Sequence, residues 1–132
     1  MADVNSSLTQ LVGAYKKHLK FSQTDKKEEI SHYLLLFYAV ECALKAKYLK
    51  DKNSNSTEDF RLLGLSKHGY GHNLLEWQKA LKMPNFWYSE DVNMPIVQMH
   101  ERLRYGTFGN SQKEQDQVKF LKDLVQCFKN NL

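Results

Sequence analysis

Disulfide frameworks, membrane-length apolar runs and strongly basic tracts are all missing from this 132-residue chain. Its two cysteines, Cys42 and Cys127, stand in no CxxC or Cys/His ligand spacing, so neither a structural zinc site nor any other metal is expected. Each lies within an apolar helical pattern, where a free thiol behaves as a small core residue. The start of the chain, MADVNSSLTQ, has no basic region followed by an apolar stretch and therefore does not read as a secretory leader. The apolar run from Tyr33 to Leu44 is too short for a bilayer and contains Glu41. The expectation is a protein of the reducing cytoplasm with no membrane association. Positive charge is modest, at a formal +4, and no segment concentrates it, so nucleic-acid binding is permitted rather than demanded.

Phosphate-cradling loops and the familiar hydrolase signatures are missing too. There is no Walker-type loop, GxGxxG, HExxH or GxSxG. Gly64, Gly69 and Gly71 do not fall at phosphate-loop spacing. Conventional nucleotide hydrolysis and serine-nucleophile chemistry are disfavoured, and no cofactor is expected.

What is present is helical periodicity. With 42% hydrophobic and 26% charged residues, the composition is that of an ordinary globular domain, and residues 1–132 read as one. Five helical segments are predicted, with no sustained strand alternation. The first runs from about Ser7 to Phe21, with Leu8, Leu11, Val12, Tyr15 and Leu19 on one stripe. The second begins near Thr24–Asp25, where Asp25 and Glu28 resemble a capping box, and continues to about Lys50. Residues 51–59, DKNSNSTED, read as an exposed loop and the likeliest place for mobility; 60–72 reads as a glycine-rich turn with a short helix around Phe60–Leu63. Asn73 and Glu76 suit the start of a third helix ending near Met83. PNFWYSEDVN (84–93) reads as an aromatic loop in which Phe86, Trp87 and Tyr88 form a lid over the bundle or a stacking platform. Pro95 opens a fourth helix whose face carries Ile96, Met99, His100 and Leu103. Ser111 and Glu114 cap a fifth, with Val118, Leu121, Val125 and Phe128 on one side. The architecture predicted is an all-α, up-and-down bundle.

Glu41 is the oddest residue in that pattern. It shares a helix face with Leu34, Tyr38, Lys45 and Tyr48, and a buried carboxylate requires a partner. Two readings are open: a local pair with Lys45 at the favourable i,i+4 offset, or a brace for a His or Arg from another helix. His72 precedes the Asn73 cap, where its ring has backbone groups within reach and can pin the turn. His100 lies on an apolar face with Arg104 four residues on and reads as a hydrogen-bonded core or interface histidine. Arg61 and His68 are separated by six residues, and Arg102, Arg104 and Tyr105 form the patch ERLRYGTFGN, with Phe108 just beyond. An imidazole near neutral pH beside a guanidinium can move protons and offset charge during metal-independent RNA cleavage. An arginine flanked by aromatics can also stack bases.

Three fragments in order, YAVECALKAKYL (38–49), GHNLLEWQKAL (71–81) and LRYG (103–106), resemble the HEPN superfamily, the higher eukaryotes and prokaryotes nucleotide-binding domains. The resemblance covers roughly residues 30–130. It implies an up-and-down α-bundle, commonly a homodimer, in toxin–antitoxin, defence or RNA-processing systems. Catalytic members of that family pair an arginine with a histidine a few residues later, near the last helices. Here no histidine follows Arg104, and the nearest match in spacing, Arg61 with His68, precedes the GHNL segment. The resemblance therefore implies a non-catalytic binding or assembly module, dimeric, with a partner protein or RNA. The alternative is a ribonuclease with a displaced site, built from Arg61 and His68 or from His72, His100 and Arg104. Glu41, Lys45, Arg102, Arg104 and Tyr105 are the binding candidates.

Overall fold

A computed structural model describes residues 6–23, 30–65, 69–82, 98–106 and 112–128. These residues form five α-helices and no strand: α1 (Leu8–Ser22), α2 (Ile30–Asp51), α3 (Leu74–Ala80), α4 (Met99–Arg104) and α5 (Gln112–Phe128). The all-α class follows. No helix among the described residues is long and apolar enough to cross a membrane.

Helix α2 organises the rest. Leu36, Phe37, Ala39, Val40, Ala43, Leu44, Ala46, Tyr48 and Leu49 are all buried, so apolar side chains leave it in nearly every direction. A helix apolar on all sides needs cover on all sides. Each of α1, α3, α4 and α5 packs against it, α1 most extensively. The α1 stripe behaves as its spacing predicts: Leu11 and Tyr15 are buried, and Leu8, Val12 and Leu19 pack at the core margin. Met99, His100 and Leu103 are the buried residues of α4, while Val118, Leu121, Val125 and Phe128 are buried on α5. Tyr15 meets Phe128 edge-on at 6.3 Å, joining α1 to α5. Cys42 and Cys127 are free thiols at the core margin, and burial pushes Cys42 up to about 11, which keeps it protonated at neutral pH.

Several local expectations change. The 51–59 stretch is mostly exposed, as its composition suggests, and it is also bonded to the start of α1. Leu8 N–H donates to the Asn55 carbonyl at 2.7 Å, Thr57 N–H to Ser6 at 2.9 Å, and Ser6 N–H to the Thr57 hydroxyl at 2.9 Å. Ser54 is buried and its hydroxyl donates to Asp59. The Thr57 hydroxyl thus serves a backbone N–H and the Ser54 hydroxyl a side chain. The short helix expected at Phe60–Leu63 is a 3-10 turn at Thr57–Phe60, started by Ser56, whose hydroxyl accepts from Glu58 N–H. Ser7 and Gln10 form a reciprocal capping box on α1 that the sequence reading passed over. Glu114 also directs its carboxylate to Arg102 at 2.9 Å, and the Ser111 half of its expected capping box lies outside the described residues. The Asp25/Glu28 and Ser111 caps, Pro95, Ile96 and the aromatic loop at 84–93 lie outside the described residues.

Candidate functional site

The second fragment of interest, GHNLLEWQKAL, is placed by one tryptophan. Trp77 on α3 is fully buried and meets Tyr48, Phe60 and Tyr70 at ring distances of 5.5, 5.6 and 4.9 Å. Its indole N–H donates to the Gly71 carbonyl at 2.9 Å. The Asn73 side chain accepts from Glu76 N–H and starts the helix. The 69–73 turn is thus fixed from inside by an aromatic ring, and its geometry sets where His72 goes.

His72 goes to Glu41. The Nδ1–H donates to Glu41 Oε1 at 2.7 Å, while Lys45 Nζ lies 3.3 Å from the same oxygen. Both readings of Glu41 therefore hold at once: it has its local lysine, and it braces a histidine from a distant turn. His72 does pin the turn, but through this carboxylate rather than through backbone groups. The Glu41 side chain is 7% exposed and that of His72 is 53% exposed. A buried carboxylate thus holds a half-exposed ring by one nitrogen, directing Nε2 away from it.

The other face of His72 lies on His100, with ring centroids 3.8 Å apart and planes inclined by 24°. His100 is 6% exposed, stacks in turn on Phe37 at 5.4 Å, and its Nε2 is hydrogen-bonded to the Tyr38 hydroxyl at 3.3 Å. Tyr38 also meets His18 of α1 at 5.9 Å. The buried, hydrogen-bonded His100 of the sequence reading is what the structure contains. Tyr38 was seen only as a neighbour of Glu41 on the helix surface; its bond to His100 spans 62 residues and leaves no local pattern.

Electrostatics follow from this packing. Burial, with positive charge from His72 and Arg104, lowers the His100 pKa against the opposing pull of Glu41 and Glu101. For Glu41 burial alone acts upward, yet the His72 hydrogen bond and the Lys45 charge outweigh it and the net shift is downward. The two shifts act in one direction on stability. The unfolded chain protonates His100 near its ordinary 6.5 and Glu41 near 4.5, before the folded chain does. The stability contributed by these two groups is therefore full above about 6.5, falls as pH drops through that value, and falls again below about 4.5. Urea denaturation at pH 7.5, 6 and 4 should give steadily lower midpoints, and an unchanged midpoint between 7.5 and 6 would contradict the burial of His100.

The remaining candidates do not join this cluster as a group. Arg102 pairs with Glu114 and ties α4 to α5. Arg104 and Tyr105 are exposed at the end of α4, with the guanidinium 5.6 Å from the ring centre, and Arg104 reaches His100 only through its charge. Arg61 is exposed on the turn after the 3-10 segment. His68 and Phe108 lie outside the described residues. No group of three or more His, Cys, Asp or Glu among the described residues is arranged to hold a metal ion. Comparisons with family models, curated proteins and solved structures return no match.

Proposed function

We propose that the chain is a HEPN-like helical module that works in the cytoplasm by binding and assembly, as a homodimer with a partner protein or RNA, and without turnover. The observation that carries this reading is the mutual satisfaction of its polar centre. Glu41 serves His72 and Lys45, and His100 serves Tyr38. The same contact links the first and second HEPN-like fragments, and His100 leads into the third. General acid–base cleavage of a phosphodiester needs an acid and a base on opposite sides of phosphorus. Two rings stacked at 3.8 Å, one of them buried, cannot flank a substrate within one chain.

A second reading is favoured by one feature: the half-exposed His72, held by a carboxylate at Nδ1, presents a basic Nε2 in the manner of a proton-transfer group. In this version the ribonuclease uses His72 with Arg104, the partner subunit completing the site. One experiment separates the two. Light scattering should report twice the 15.5 kDa chain mass. Incubation with labelled single-stranded RNA should leave it intact, with any retention weakening as salt rises from about 50 to about 200 mM. A monomer at micromolar concentration would overturn the assembly reading. RNA cleavage abolished by His72→Gln would move the assignment to the ribonuclease.

A further inference from the structure

Two of the bonds that hold the 69–73 turn differ in kind. One is structural: Trp77 Nε1–H to the Gly71 carbonyl. The other is ionic and carries a titratable ring: His72 to Glu41, with His72 lying flat on His100. Gly69 and Gly71, with φ of +61° and +55°, bracket Tyr70 and give the turn two points about which it can swing.

The charges around the two rings are unequal. From α2, Glu41 and Lys45 face His72, and the Tyr38 hydroxyl faces His100. From α4, Glu101 and Arg104 act on His100, and from α1 His18 approaches through Tyr38. The Arg102–Glu114 pair joins α4 to α5 nearby in sequence and is internally neutralised. A proton on His100 meets the His72 ring stacked 3.8 Å away and the Arg104 guanidinium, inside a buried site.

We propose that the stacked His72–His100 pair is a proton-operated latch, which holds the 69–73 turn against α2 while His100 is neutral and releases it when His100 takes a proton. Release carries His72 outward on its glycine hinges. It breaks the Gly71–Trp77 bond, uncovers the edge of Trp77 and opens Glu41 and Lys45 to water. The helices themselves stay, because the packing of α1 on α2 and the Tyr15–Phe128 contact between α1 and α5 lie outside the 69–73 turn. The inference stands independently of the binding reading, since it concerns the free protein.

Nuclear magnetic resonance on the free protein tests it. Between pH 7.5 and 5.5 the Trp77 indole N–H should lose roughly tenfold more protection from exchange, after correction for intrinsic rates, than the core amides of α1 and α5, which lose only what global stability loses. In His100→Phe, which keeps a ring on Phe37 but cannot take a proton, that loss should shrink to less than about twofold. Constant protection of Trp77 in the native chain, or the same loss in His100→Phe, overturns the latch. Should His100→Phe fail to fold, the ring Cε1–H titrations of the native chain decide alone. Linked curves, each ring showing a step at the other's midpoint, support it, and two independent single-site curves refute it.

Discussion

Trp77→Ala should cost about 3–5 kcal/mol, a large share of the ~5–15 kcal/mol that holds a domain of this size together. The ring is fully buried and touches Tyr48 from α2, Phe60 from the 3-10 turn and Tyr70 from the 69–73 turn. Three separate segments thus share one side chain. Removing it leaves a cavity that none of its rigid neighbours can collapse to fill, and it forfeits edge-to-face contacts worth about 0.5–1.5 kcal/mol each. The Gly71 carbonyl loses its donor as well. Trp77→Phe keeps most of the contact and should lose clearly less. Urea denaturation followed by circular dichroism measures both; a loss below about 1 kcal/mol for the alanine variant would mean that Trp77 does not organise the turn.

Gly69→Ala should be nearly as damaging, at about 2–4 kcal/mol, although it adds only a methyl group. The backbone there has φ +61°, which disfavours any side chain. An added Cβ would sit 2.7 and 2.9 Å from two carbons of the Trp77 ring and 3.2 Å from Phe60 Cε2. Those rings are packed from other sides and have nowhere to retreat. Gly64→Ala is the control. It shares a positive φ, +85°, but its Cβ would meet nothing within 4 Å. Gly64→Ala should therefore cost only the backbone part, about 1–2 kcal/mol, and the difference between the two variants reads out the crowding at Trp77. Equal losses would refute that crowding.

The parts of this structure that were legible in the sequence are those encoded within a few residues. The stripe Leu11–Tyr15 and the face Met99–His100–Leu103 declare themselves by spacing, and both are buried. Glu41 declared itself by being charged in an apolar run, which pointed to a partner. The i,i+4 offset named Lys45, but nothing local named His72, which is 31 residues away and approaches from a turn rather than a helix face. The strap at Ser6–Thr57 leaves no local signal for the same reason. Serine, asparagine and threonine look alike whether they bind water or a backbone 51 residues away. Trp77 passed unnoticed because a single aromatic in an amphipathic heptad is ordinary; its importance comes from three neighbours that no local window contains.

Helix α2 has a consequence for how the chain is made. Its cover comes from α1 on one side and from α3, α4 and α5 on the others, and three of those four follow it in sequence. A nascent chain released to about residue 60 holds a complete, mostly apolar helix with only its first neighbour available. From then until α5 emerges, the exposed surface is the one that chaperones recognise and that misassembles with copies of itself. Delayed synthesis over residues 60–128 should therefore raise chaperone dependence more than the same delay over α1.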